Sequence, residues 1–106
     1  MSERPVVVHK FGGTSLGDAG RIVRAARLLA AASRRNRVVA VASAMGGVTD
    51  VLLRSAHEAE RGRLGPARKA VAELRERHEA AAAGVSEETG AAVSFDAAPL
   101  AELETA

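Results

Sequence analysis

The sequence predicts an α/β fold built on parallel strands, and three observations predict it. Two short valine-rich runs, at residues 6–8 and 38–42, lack polar alternation. Each is followed at once by a loop with paired glycines, GGTSLG at 12–17 and AMGGVT at 44–49. Each loop opens into a segment whose apolar residues recur at helical spacing. Two strands joined by a helix pair in parallel, so the first 60 residues read as strand, loop, helix, strand, loop, helix.

Taken in order, Val6, Val7 and Val8 follow Pro5 as a β-branched run, expected to be a strand buried on both faces. Residues 11–17 form a glycine-rich loop, and Asp18 is placed to cap the next helix. Ile22, Ala26 and Leu29, with Val23 and Ala30, give that helix an apolar face, and Asn36 ends it. Residues 38–42 form the second strand, 43–47 the second loop and 48–60 the second helix. A break at 62–66 precedes a longer helix over 67–83, with Val71, Leu74 and His78 on one side, and with Glu73 and Arg77 four apart. Gly84 is its expected stop, and residues 85–95 carry no clear period. Asp96 is placed to cap a last helix, with Pro99 in its first turn and Leu100 and Leu103 facing inward. The closing AELETA holds no stop signal. A two-stranded parallel sheet has two open edges. Either strands from another chain complete it, or the segment belongs to a larger domain.

The 106 residues suffice for one small domain. Its core is expected to be thin, because many of the apolar residues are alanines and only two are aromatic. The lack of cysteine excludes disulfides and cysteine-ligated metals. His9, His57 and His78 show no metal-ligand spacing with carboxylates, and His57 and His78 read as helix-surface residues. The apolar run near the N-terminus is too short for a signal peptide and no stretch is long enough to span a membrane, so a cytoplasmic protein with no membrane partner is expected. Arg21, Arg24, Arg27, Arg34, Arg35 and Arg37 form a basic cluster, but it lacks aromatic partners for base stacking. It reads as a solvated helix face and turn, with no nucleic acid bound.

The loops carry the chemistry. A loop after a buried parallel strand sits at the strand's carboxyl end, where open α/β sheets bind ligands. Gly12 and Gly13 let backbone N–H groups approach phosphate oxygens, Lys10 supplies a compact cation, and Thr14 and Ser15 supply hydroxyl donors. The helix opening near Asp18 adds its partial positive end. In the second loop Ser43 leaves the strand, Gly46 and Gly47 free the backbone, and Thr49 and Asp50 enter the helix. Two such loops after neighbouring strands can face one cleft, one for phosphates and one for a small acceptor. The same residues also fit simpler roles: a glycine pair as a turn, Thr49 or Asp50 as a cap, Lys10 as a solvated strand end. No GxxxxGK[ST] or GxGxxG pattern is present, and no Ser-His-Asp arrangement is defensible.

KFGGTSLGD at 10–18 and VASAMGGVTDVLL at 41–53 resemble, in wording, order and separation, the first two signatures of the aspartate kinases, members of the amino acid kinase family. The second signature is similar to the kinase portion of bifunctional aspartate kinase–homoserine dehydrogenases in particular, with the single-activity form left open. The resemblance is clear over residues 5–60 and looser through 106. It implies a three-layer α/β/α sandwich with a largely parallel sheet. It further implies transfer of the ATP γ-phosphoryl group, with Mg2+, to the side-chain carboxylate of L-aspartate, giving 4-phospho-L-aspartate for lysine, methionine and threonine synthesis.

The resemblance also assigns roles. The residue matching Lys10 balances charge on the transferring phosphoryl, and those matching Gly12 and Gly13 contact phosphate through the backbone. Thr14 and Ser15 fall in the same nucleotide-binding stretch. Ser43 matches a position near the reacting groups, and Thr49 one that contacts aspartate. The family's later "GE" and "GRGGSD" segments, its adenine cradle, its regulatory domains and its carboxylate-binding arginine have no counterpart in these residues. The expectation is therefore an N-terminal portion of a kinase domain, spanning 1–106, inactive alone and homo-oligomeric when full length. The alternatives are another amino acid kinase, or a non-catalytic phosphate-binding module that partners a separately encoded half.

Overall fold

The computed structural model describes residues 4–100, and the chain divides into two compact units, Met1–Gly46 and Gly47–Ala106.

The first unit is a strand–helix–strand motif: β1 (Val6–Phe11), α1 (Ala19–Ser33) and β2 (Arg37–Ala42). The strands pair in parallel, with Val6 opposite Arg37 and Phe11 opposite Ala42. Backbone bonds from Arg37 N–H to the Pro5 carbonyl (2.9 Å) and from Ser43 N–H to the Phe11 carbonyl (3.0 Å) carry the pairing to both ends. The ladder thus delivers both loops at the same level of the sheet.

Burial corrects one expectation. The valine run of β1 is not buried on both faces: Val7, His9 and Phe11 are half-buried, while Val6, Val8 and Lys10 are exposed. Val39 and Val41 share the open face with Val8 and Lys10 through the pairing register. Side chains alternate across a sheet, and α1 is the helix that packs on this one. A run of valines fits a strand of either burial, so the residues themselves did not decide it.

Asp18 caps α1 as expected, its Oδ1 accepting the Arg21 N–H at 2.9 Å. The buried stripe runs through Val23 and Ala25, with Ile22 and Leu29 half-buried, whereas Ala26 and Ala30 are exposed. Ile22, Val23 and Leu29 lie inward as expected, but the inward alanine is Ala25 and not Ala26 or Ala30, because alanines stand on both sides of the stripe. The helix stops at Ser33, ahead of Asn36, whose backbone N–H (3.0 Å) and side-chain amide (3.3 Å) both donate to the Ala32 carbonyl. Asp18→Ala removes the cap and is expected to destabilise the chain by about 1 kcal/mol, with Asp18→Asn close to the parent. A thermal melt followed by circular dichroism checks it; equal midpoints for Ala and Asn would show that the cap contributes nothing.

The second unit pairs α2 (Val48–Glu60) with α3 (Leu64–Thr89). The turn between them is a Schellman closure. Gly62 stands at φ 77°, its N–H bonds the Ala59 carbonyl (3.0 Å), and Arg63 N–H bonds the Glu58 carbonyl (2.8 Å). Helix α3 starts three residues before the expected 67, with Pro66 in its first turn, where a proline's missing N–H has no intrahelical partner to lose. It also outruns the expected stop. Gly84 is carried in the helix at a cost of about 1 kcal/mol relative to alanine, and termination falls at Gly90, which takes the left-handed conformation at φ 71°.

Among the described residues, Val48, Ala67, Ala70, Val71 and Leu74 are the buried ones of this unit, a thin, alanine-rich core of the kind expected. Glu73 reaches Arg54 of α2 at 3.5 Å. His78 is a packing residue, which corrects its reading as a surface one. It is half-buried, its Nδ1 lies 2.7 Å from the Leu74 carbonyl, and its ring lies 5.0 Å from Phe95. Beyond α3, Val93 folds back onto Ser86 through a reciprocal pair of bonds, each 3.0 Å. Asp96 accepts the Ala98 N–H at 3.0 Å, so the predicted cap is formed. Leu103 and the rest of the predicted last helix lie outside the described residues.

Candidate functional site

The site begins where β1 and β2 end. Past Phe11 the chain enters a single 3₁₀ turn, Gly13–Leu16, closed by a backbone bond from Ser15 N–H to the Gly12 carbonyl at 3.1 Å. Past Ala42 it passes through Ser43 to Gly46. These two loops touch backbone to backbone. A Cβ on Gly13 would lie 3.1 Å from the Gly46 Cα, and one on Gly46 would lie 3.0 Å from the Gly13 carbonyl oxygen. At either position a side chain would press on the backbone of the other loop, tighter than an ordinary contact. Gly12 is different, because a Cβ there meets nothing within 4 Å. Its side is open to an incoming group.

Thr14 and Ser15 are exposed, and with Phe11, Arg21, Arg24, Ala25 and Leu28 they line a recess of about 440 Å³ against α1. Lys10 sits at the end of β1, exposed and opposite Val41, on the face of the sheet away from Phe11. The structure therefore brings Gly13 and Gly46 together, and puts Thr14 and Ser15 at the recess, with Lys10 across the strand from it. Ser43 is exposed, and its hydroxyl donates to the Ala44 carbonyl at 2.8 Å.

Thr49 and Asp50 belong to the second unit, in the first turn of α2. Neither caps that helix. The cap position is Gly47, left-handed at φ 83°, with no side-chain bond to the helix N-terminus. The simpler role for Thr49 or Asp50 as a cap is thus set aside, and both side chains are exposed.

Sequence reasoning missed Arg21. Its guanidinium Nη1 donates to the Thr14 carbonyl at 2.7 Å and its Nε lies 3.9 Å from Asp18 Oδ2. The available signal was the i, i+3 spacing from Asp18 across a helix start, which was read for the cap alone.

Among the described residues no group of three or more His, Cys, Asp or Glu side chains is placed to hold a metal ion, and no helix is long and apolar enough to cross a membrane.

Comparison with known proteins adds family to geometry. The profile of the amino acid kinase family matches residues 5–98. The aspartokinase of Mycobacterium tuberculosis is 53% identical over 49 residues, 45% of this chain and 12% of that protein. The aspartokinase of Mycolicibacterium smegmatis is 51% identical over a stretch of the same length, and that of Geobacillus stearothermophilus is 44% identical over 54 residues. The chain thus matches only 12–13% of the length of these relatives. No solved structure matches.

Proposed function

The chain belongs to the amino acid kinase family, and on that premise we propose that it is the N-terminal portion of an aspartate kinase domain, carrying the phosphate-facing part of the active site. The parallel sheet with its helices is the strand–helix–strand–helix start of the family's α/β/α fold. The observation that carries the proposal is the backbone contact of Gly13 with Gly46. It joins two glycine loops at the carboxyl ends of two parallel strands, the place where such sheets bind ligands.

The complete domain transfers the γ-phosphoryl group of ATP to the side-chain carboxylate of L-aspartate in the cytoplasm. A bond forms between a carboxylate oxygen and the γ-phosphorus, and the bond from that phosphorus to the bridging oxygen of ADP breaks. The carboxylate is already ionised at neutral pH, so no general base is required. The barrier lies in bringing two anions together, and positioning with fixed positive charge lowers it. Gly12 and Gly13 present N–H groups to phosphate, Thr14 and Ser15 donate from the turn, and Lys10 faces developing charge as a compact cation. Ser43 and Thr49 serve the acceptor side. Mg2+ would be held largely by the substrate phosphates and would neutralise their charge.

A non-catalytic module that completes a separately encoded half is the second reading. It is favoured by the open sheet face, where Val6 and Val8 are 55% and 62% exposed.

The test is chemical-shift mapping of Mg2+–ATP on the labelled chain. Shifts concentrated at residues 10–15 and 43–47 are expected, with no aspartate-dependent ADP release by the chain alone. Shifts confined to α3 would overturn the assignment of the site.

A further inference from the structure

We propose that Arg21 is a positioning residue that clamps the first glycine turn in its phosphate-presenting shape. The inference rests on the phosphate reading of that turn.

Besides its closing bond and the contact of Gly13 with Gly46, the turn has few supports. It is four residues long, has no side-chain cap and contains no buried residue. Such 3₁₀ turns have poor hydrogen-bond geometry. The bond from Arg21 Nη1 to the Thr14 carbonyl is short, 2.7 Å, and charge-assisted. That carbonyl and the Ser15 N–H belong to one planar trans peptide, so they point in opposite directions. Holding the carbonyl on the Arg21 side therefore aims the Ser15 N–H at the Gly12 carbonyl, the bond that closes the turn.

Arg21 is itself held at both ends. Its backbone N–H is fixed by the Asp18 cap, and its Nε faces the second carboxylate oxygen of the same residue. The planar fork of arginine lets one side chain address a carbonyl and a carboxylate together, which a lysine ammonium does not reproduce.

The test compares Arg21→Gln and Arg21→Lys in the full chain, by amide–water exchange at Ser15, by thermal melting and by Mg2+–ATP titration. Arg21→Gln keeps the backbone cap. Its expected result is exchange at Ser15 about tenfold faster and an ATP dissociation constant about tenfold higher, with the cooperative melt retained. Arg21→Lys is expected to recover part of both effects. Unchanged exchange at Ser15 in Arg21→Gln overturns the clamp. Faster exchange with unchanged ATP affinity overturns its positioning role. Failure of the phosphate reading shows separately, as no ATP binding by the unsubstituted chain. Arg21 is then not a positioning residue for phosphate, whatever its exchange data show.

Discussion

Gly13→Ala and Gly46→Ala are each expected to lower the melting midpoint markedly, whereas Gly12→Ala is not. The added methyl at Gly13 would sit 3.1 Å from the Gly46 Cα, and at Gly46 it would sit 3.0 Å from the Gly13 carbonyl. Both obstacles are backbone atoms, which have no rotamer to swing aside. The two loops must separate, and overpacking of this kind costs about 1–3 kcal/mol. In a chain of this size each kcal/mol moves the midpoint by about 4–8 °C. Gly12 takes φ −85° and has open space where a Cβ would go, so alanine there leaves stability within about 0.5 kcal/mol. The same methyl still stands where phosphate would approach. Gly12→Ala is therefore the variant that separates folding from binding, by a melt that matches the parent and a nucleotide titration that does not. If Gly13→Ala and Gly46→Ala melt with the parent, the loop contact is not part of the folded state.

The second large effect belongs to Leu74→Ala. Leu74 is 2% exposed, and the residues buried with it in the helical unit are three alanines or valines of α3 and Val48 of α2. These buried neighbours are small, so they fill only part of the space that a truncated leucine leaves. Leu→Ala at such a site costs about 2–5 kcal/mol, against a total of about 5–15 kcal/mol for a typical domain. A chain with so small a core is expected to lose its cooperative melt at 37 °C, while Leu74→Met keeps it at a cost below about 1.5 kcal/mol. Urea unfolding of both variants checks this. A Leu74→Ala midpoint close to that of the parent would mean that α2 and α3 are not held together by this residue.

The legibility of the fold tracks how local each signal is. Asp18 and Asp96 were readable as caps because a cap is a bond between a side chain and an amide two or three residues on. Helix α2 was readable to its ends because a glycine pair precedes it and a glycine follows within two residues. Gly84 and Gly90 show the limit. Both are glycines after a helical run, and only packing over the whole helix decides which one takes positive φ. The open face of β1 was illegible for a related reason, since three valines in succession mark neither face as inner. In the two loops, the residue types that the proposal uses, from Lys10 through Ser15 and from Ser43 through Thr49, were legible. The contact between Gly13 and Gly46 was not, because it depends on the register of two strands. The grip of Arg21 on Thr14 was not, because a surface arginine on a helix resembles its five neighbours in the basic cluster until its partner is seen.

On the function proposed, these residues carry a preformed phosphate-facing half-site. Isothermal titration of Mg2+–ATP into the purified chain, with Lys10→Ala as the control, tests it most directly. Lys10 is exposed at a strand end, so its removal leaves the melt unchanged. Saturable binding by the parent and its loss in Lys10→Ala is the predicted result. A folded parent that binds no nucleotide, or a Lys10→Ala chain that binds as tightly as the parent, would contradict it.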